Sequence, residues 1–563
     1  MRSLLNLPSF APTLPKPLRS LKLSSWTIAV LLIALLIATP LLVVLGSVFA
    51  NTGPVWHHLT TTVLPRYISN SLLLVVGVSI GTGVIGVSTA WLVTMCRFPG
   101  SRVLQWALLL PLAVPAYILA YVYTELLEFY GPVQTALRAI FGWSSVADYW
   151  FPPIRSLPGA VAMLSLVLYP YVYLLARVAF LEQSVCTLEA SRSLGCDSWR
   201  SYFKVALPLA RPAIVAGLAL VIMETLNDYG TVQYFSVDTF SVGIYRTWFN
   251  MGERVAASQL AACLLVSVLG VLLLEQWSRR QTRYYQSTSR YQMASPYKLS
   301  GRRAVMAGLA CSLPILLGFL APALVLLPMA MTRITERFGE RFWTLARNSL
   351  TLALLTAAIG MVFSLILAYG LRLRPTRLMS LSVRTAAIGY AIPGSVIAVG
   401  VLVPVGYFDN ALDAWMRSTF NLSTGLLLSG TITALVFAYL VRFLAVAFNT
   451  VESSLVQIKP SLDDAARSLG HSSTQTLLRV HAPLMTGGLL TAMILVFVDV
   501  MKELPATLIV RPFNFDTLAV EVYRLAADER LAEAAAPALA IVIVGILPII
   551  LLSWQITRSR ESR

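Results

Sequence analysis

The sequence predicts an all-α integral membrane protein of about twelve transmembrane helices, built as two parallel six-helix repeats. Three observations carry this expectation. Hydrophobic residues make up 57% of the 563 residues and charged residues only 12%, about half the ~25% of a soluble domain. The apolar runs are continuous, and many exceed the ~20 residues a helix needs to cross a bilayer, so helices are expected rather than the alternating strands of a barrel. Finally, Glu189-Ala190-Ser191-Arg192-Ser193-Leu194-Gly195 returns 275 residues later as Asp464-Ala465-Ala466-Arg467-Ser468-Leu469-Gly470, close to half the chain.

The apolar runs place spans at roughly 25–50, 71–95, 103–125, 157–181, 210–232, 257–276, 304–331, 349–371, 383–407, 423–447, 485–510 and 535–555. The first run is too long for the core of a signal peptide and lacks a cleavage site, so it reads as a retained span. Loop charge sets orientation. Basic residues crowd the segment before the first span, the linker 277–303 and the tail, whereas the loop after the first span holds only Arg66. Both termini and the linker are therefore expected in the cytoplasm. The loop 332–348 is an exception, with four arginines expected outside and Glu336 and Glu340 offsetting part of that charge. The expected organisation is a cytoplasmic segment 1–24, a first half 25–276 of about six spans, a basic linker 277–303, a second half 304–555 of about six spans and a cytoplasmic tail 556–563. The net charge of +17 is spread over loops flanking apolar spans. It reads as topology charge facing lipid and water, not as a nucleic-acid surface. The five cysteines form no close metal-type pair, so neither disulfides nor a cysteine-bound metal is expected.

The halves repeat beyond the first motif. Asn70-Ser71 matches Asn348-Ser349, Val114-Pro115 matches Ile392-Pro393, and Asp238-Thr239 with Tyr245-Arg246 matches Asp516-Thr517 with Tyr523-Arg524, each at a shift of 278. Six spans separate the copies, so the repeats are parallel and a shared pathway lies between the halves. Pro115 and Pro393 either break helices beside that pathway or are packing kinks.

The doubled motif lies in two cytoplasmic segments, 182–209 and 448–484. In each, a small-residue run ends in glycine, which suits a turn needing positive φ. The acid opening the motif sits in a first helical turn, where the helix dipole favours it. A short surface helix pair of this kind suits a groove on a partner.

Here the chain resembles the inner-membrane permeases of binding-protein-dependent ABC importers, whose hallmark is Glu-Ala-Ala, three residues, Gly, nine residues, Ile-x-Leu-Pro. The copies read Glu189-Ala190-Ser191, Gly195, Val205-Ala206-Leu207-Pro208 and Asp464-Ala465-Ala466, Gly470, Val480-His481-Ala482-Pro483. The second departs by Asp for Glu and Ala for Leu, which puts the equivalence of the two docking sites in doubt. The resemblance implies a type I ABC importer (MetI-like) permease fold in a bacterial inner membrane. It also implies a periplasmic substrate-binding protein and two copies of a cytoplasmic ABC ATPase docked on the two motifs. The chain has no Gly-x-x-x-x-Gly-Lys-Ser/Thr phosphate loop. It is expected to be a transport subunit, not an enzyme, with no cofactor of its own and with ATP and Mg on the partner.

Downstream of each motif the chain re-enters the membrane with two acids: Glu224 and Asp228 in the first half, Asp499 and Glu503 in the second, related by the 275-residue shift. Four residues apart, the acids of a pair share one helix face. At ~1.5 Å per residue, Glu224 falls well inside the membrane and Asp228 nearer the outer surface. Intramembrane acids are costly and usually face a cavity, a counter-charge or an ion. Four carboxylates around a pseudo-twofold axis would suit a hard, highly charged cation, unless Lys502 neutralises part of the set or the outer pair merely meets external water. Glu224-Thr225-Leu226-Asn227-Asp228-Tyr229-Gly230, Lys502-Glu503-Leu504-Pro505-Ala506-Thr507 and Arg511-Pro512-Phe513-Asn514-Phe515-Asp516 resemble the fused two-half ferric iron permeases. Ferric ion is then the implied cargo, with thiamine or a phosphonate as alternatives carried by relatives of this layout. A proton-coupled secondary transporter is the rival class, and the doubled motif argues against it. A non-transporting scaffold would leave the acids unexplained.

Tyr117 and Tyr121, one turn apart, are candidate ferric ligands, although aromatics at this depth more often form the interfacial belt, the reading favoured here. His57 and His58 read as a solvated external loop.

Overall fold

The computed structural model describes residues 24–51, 53–182, 195, 197–280, 297–332 and 338–561. Among them, ten helices are long and apolar enough to cross a membrane, or up to twelve if each of two bent pairs is one span. In the first half the main helices are α1 (Ser25–Gly46), α2 (Leu64–Met95), α3 (Ala116–Leu127), α4 (Leu157–Glu182), α5 (Leu207–Asn227) and α6 (Arg254–Arg280). In the second they are α7 (Gly301–Met331), α8 (Glu340–Leu373), α9 (Gly394–Phe420), α10 (Ile432–Val456), the short α11 (Ser461–Ser468), α12 (Thr486–Met501) and α13 (Leu531–Glu561). Among the described residues the one pairing of strands is a two-residue parallel one of Cys96–Arg97 with Tyr297–Lys298, which pins the end of the linker to the end of α2.

Four expected spans are broken rather than straight. The segment Ser101–Ala113 meets Ala116–Phe141 at 91°, and Ser473–Leu484 meets Thr486–Met501 at 80°. The cause in the third span of each half is the residue before proline, which steric clash drives out of helical geometry. Val114 (φ −95°, ψ 116°) and Ile392 (φ −86°, ψ 127°) are extended, and Pro115 and Pro393 then cap α3 and α9. The expected spans 210–232 and 485–510 stop at Asn227 and Met501, and short helices Gly230–Tyr234 and Pro505–Val510 follow. His57 lies in the helical turn Pro54–His58 at the head of the second span, not in a loop.

The repeated dipeptides hold the halves' outer loops. The Asn70 side chain donates to the Asp238 carbonyl at 3.0 Å, and Asn348 donates to the Asp516 carbonyl at 3.0 Å. Ser71 accepts from the Phe240 N–H, and Ser349 from the Leu518 N–H. The basic loop 332–348 is partly neutralised, because Arg341 grips the buried carboxylate of Glu521 with two hydrogen bonds.

The first helix of each half crosses to the other. α1 packs on α8, on α9 and on the helix Arg377–Ala386 of the second half, while α7 packs on α2, α3 and α4 as well as on its own α13. Backbone contact is close at these crossings. A Cβ on Gly400 would stand 2.5 Å from the Pro40 carbonyl oxygen, and one on Gly318 would stand 2.8 Å from that of Leu166. Glycine is required at both because no side chain fits.

Candidate functional site

A cavity of about 110 Å³ opens between the halves, at the breaks that end α5 and α12 and begin α3 and α9. All four sequence-predicted acids line it: Glu224 and Asp228 from the first half, Asp499 and Glu503 from the second. So does Tyr117, but not Tyr121.

The geometry corrects the expectation that the two acids of each pair share one helix face. Asp228 and Glu503 do not continue the faces of Glu224 and Asp499, because the helices have ended. Each instead caps the short helix that follows. Asp228 accepts from the Val232 N–H at 3.1 Å and from the Thr231 hydroxyl at 3.0 Å; Glu503 accepts from the Ala506 N–H at 2.9 Å. Capping satisfies backbone donors that a helix start leaves orphaned.

Neutralisation is confined to the second half. Lys502 reaches Asp499 at 2.9 Å, and Arg442 of α10 reaches Glu503 at 3.2 Å. Arg442 and Glu503 are 4% and 5% exposed, so this is a buried ion pair. The equivalents under the repeat are apolar or neutral: Asn227 stands where Lys502 does, and Val167 where Arg442 does. The Glu224 carboxylate makes no hydrogen bond or direct ion pair with another described residue. Four carboxylates therefore face two cations, and both cations belong to one side. Among the described residues no three His, Cys, Asp or Glu side chains converge as a metal site, so the expected ring of four oxygen donors is not assembled in this conformation.

Two tyrosines complete the wall between Glu224 and Asp499: Tyr171 of α4 and Tyr390 from the break before α9. Sequence reasoning did not single them out, nor Arg442 or Asn227. Only Arg442 carried a readable signal, as a lone cation inside an apolar span. Tyr117 and Tyr121 are 5% and 1% exposed, and neither hydroxyl has a hydrogen-bond partner. They are packed inside the protein, which overturns the interfacial-belt reading. The broken third span turns them inward, with their rings 5.9 Å apart.

At the opposite end of α5 and α12 lie the motif segments. Glu189 and Ala190 fall outside the described residues. Gly195 has φ +81° and Gly470 φ +82°, so both copies turn through the left-handed backbone that glycine permits. Pro208 lies in the first turn of α5, and Pro483 in the short helix Ala482–Leu484 before α12. Asp464 and Ala465 lie on α11, with the Asp464 carboxylate exposed in the first turn and paired to Arg467 at 3.3 Å. Its neighbour Asp463 points the other way and is gripped by Arg372 at 2.6 Å. Arg372 also donates to the carbonyls of Leu455 and Ile458.

Two parallel repeats, broken helices converging on a shared charged cavity, and a paired motif some 30 Å away by ~1.5 Å per residue define a membrane permease of the ABC-importer type. The chain belongs to the family described as "Binding-protein-dependent transport system inner membrane component", which it matches over residues 82–283 and 360–560. It is 24% identical over 497 residues to the Fe(3+)-transport system permease protein FbpB 2 of Haemophilus influenzae, covering 87% of this chain and 90% of that one. It is 23% identical over 486 residues to the ferric transport system permease protein FbpB of Actinobacillus pleuropneumoniae, covering 82% and 66%. The molybdenum transport system permease protein ModB of Escherichia coli is 28% identical over 204 residues, only 35% of this chain. The protein is thus a multi-pass inner-membrane transport subunit that works with an ATPase and a binding protein.

Proposed function

We propose that this chain conducts ferric iron inward by alternating access. An external binding protein delivers the ion, and two copies of a cytoplasmic ATPase dock on the motifs at 189–208 and 464–483. ATP and Mg reside on those partners, and the assembled complex is the ATP-hydrolysing translocase. Both chain termini face the cytoplasm. Closure of the ATPase dimer draws the motif segments together, rocks the halves and exposes the cavity to the incoming ion.

The observation that carries the cargo is the excess of carboxylate over cation in the cavity, with Glu224 outside both direct ion pairs. A trivalent cation supplies the missing charge, and carboxylates and phenols are hard oxygen donors suited to it. Cavity size supports the same reading, since about 110 Å³ falls far below the ~300–1,000 Å³ of sites for drug-sized ligands. A phosphonate would meet the wrong sign of charge at Glu224, and thiamine would need a larger space. The similarity over most of the chain to permeases named for ferric transport adds weight.

The test is radiolabelled uptake by the reconstituted permease, ATPase and binding protein, comparing ferric iron with thiamine and a phosphonate. Ferric uptake should depend on ATP and fall at least tenfold when Glu224→Gln and Asp499→Asn are combined. Wild-type iron transport in that double variant removes the carboxylate pathway. Uptake driven by a proton gradient alone overturns the whole reading in favour of a secondary transporter.

A further inference from the structure

Asn227 ends α5 in the first half, and its side-chain oxygen accepts two hydrogen bonds from the second half. The Gly394 N–H donates at 2.7 Å, and Arg442 Nη1 donates at 2.9 Å. The same Nη1 pairs with Glu503 at 3.2 Å. Asn227 is 8% exposed, and the joint it makes is buried between the halves at the cavity. A side chain at position 394 is excluded, since its Cβ would meet Arg442 Nη1 at 2.4 Å and Glu503 Oε1 at 2.7 Å. Nothing in transport chemistry requires these three groups to meet, yet two halves that rock apart must part them.

We propose that Asn227 and Arg442 are positioning residues that bolt the two halves together in the resting permease, so that ATP is not spent until the bolt is drawn. Three features support this. Arg442 is rigidly supplied from α10 but not fully satisfied, because its Nε has no acceptor. The repeat supplies the asymmetry a bolt needs: the position that is Lys502 in one half is Asn227 in the other, an acceptor instead of a second cation. The joint is backed, on the side away from the motifs, by further contacts between halves, in which Tyr229 meets Tyr523 at 3.2 Å and Tyr245 donates to the Pro505 carbonyl. A polar joint flanked by tyrosine contacts closes the path while remaining breakable, since hydrogen bonds lost when the halves part are exchanged for bonds to water.

The proposal rests on the alternating-access reading but not on the identity of the cargo, and the experiment keeps them apart. ATP hydrolysis by the reconstituted permease–ATPase complex is measured without binding protein and without iron, then iron moved per ATP is measured with both. Asn227→Ala and Arg442→Met should raise the unstimulated ATPase rate at least threefold and lower the iron moved per ATP. Asn227→Asp, the same shape with a charge that holds Arg442 more firmly, should move the unstimulated rate the other way, below wild type. A merely structural role would make all three variants change in one direction with their thermal stability. Unchanged ATPase rates in Asn227→Ala and Arg442→Met overturn the bolt, as does an increase in Asn227→Asp. An altered unstimulated rate in a complex whose wild type moves no iron would keep the bolt and remove the ferric reading.

Discussion

Arg372 at the end of α8 holds Asp463 of α11 at 2.6 Å, and this contact fixes the second motif helix to the spanning bundle. Arg372 is itself held by the Leu455 and Ile458 carbonyls, which accept from its guanidinium. The position corresponding to Arg372 in the first half is Thr94, which carries no charge, and Trp91 there packs on Phe180 and Tyr202 instead. The Arg372–Asp463 pair thus has no ionic counterpart at that position of the first half. Asp463→Asn removes a half-buried counter-charge and should loosen α11 by on the order of 3 kcal/mol. Iron moved per ATP should fall severalfold while ATPase subunits still bind, a split read by comparing pull-down with coupled transport.

The matched clamps Asn70–Asp238 and Asn348–Asp516 predict matched costs. Asn70→Ala and Asn348→Ala each leave a buried carbonyl unsatisfied, worth about 1–3 kcal/mol. Both should lower the thermal unfolding midpoint in detergent by similar amounts. A large effect in one half and none in the other would show that the repeats no longer bear load equally.

Three glycines on α9 separate contact from helix propensity. Gly394 and Gly400 abut Glu503 and the Pro40 carbonyl, whereas Gly406 has no neighbour within 4 Å of an added Cβ. Alanine at 394 or 400 should destabilise the protein measurably, since overpacking costs about 1–3 kcal/mol. Alanine at 406 should be neutral or stabilise by up to ~1 kcal/mol. Thermal unfolding of the three variants reads the difference directly.

The loop 143–149 carries a pH dependence of known sign. The backbone N–H groups of Ser145 and Ser144 both donate to Asp148 at 2.7 Å and hold its carboxyl below the usual carboxylate range. A depressed acid stabilises above its unfolded pKa and loses that contribution as pH falls through the folded value. Trp143, stacked on Tyr149 at 4.7 Å, is ordered by the same turn. Hydrogen exchange at 143–149 should therefore be unchanged between pH 5 and 7 and, after correction for intrinsic rate, accelerate below about pH 4. In Asp148→Asn the protection should already be lost at neutral pH.

Much of this architecture was legible in the chain because it is written in period and repetition. Spans, duplication, the glycine turns at Gly195 and Gly470, and the convergence of the four acids all follow from runs and shifts that one sequence displays. The breaks at Pro115 and Pro393 were foreseeable because proline acts locally. What escaped was non-local. Tyr171 and Tyr390 sit in apolar runs that look like any other core, and Asn227 gains its role only from Gly394 and Arg442, far along the chain. The pairing of Asp499 with Lys502 was open to view, but that of Glu503 with Arg442 needed the packing of α10 against α12. The inward turn of Tyr117 and Tyr121 was missed because their depth was reckoned on a straight span.

The exchanged first helices give the molecule a mutual embrace, since α1 lies on the second half and α7 on the first. A cut in the linker segment 281–296 would therefore not free two separable proteins. Each fragment would keep an arm folded around the other, and they should copurify. By this geometry the covalent link contributes stoichiometry and order of assembly, while the arms supply cohesion and let the halves tilt without drifting apart.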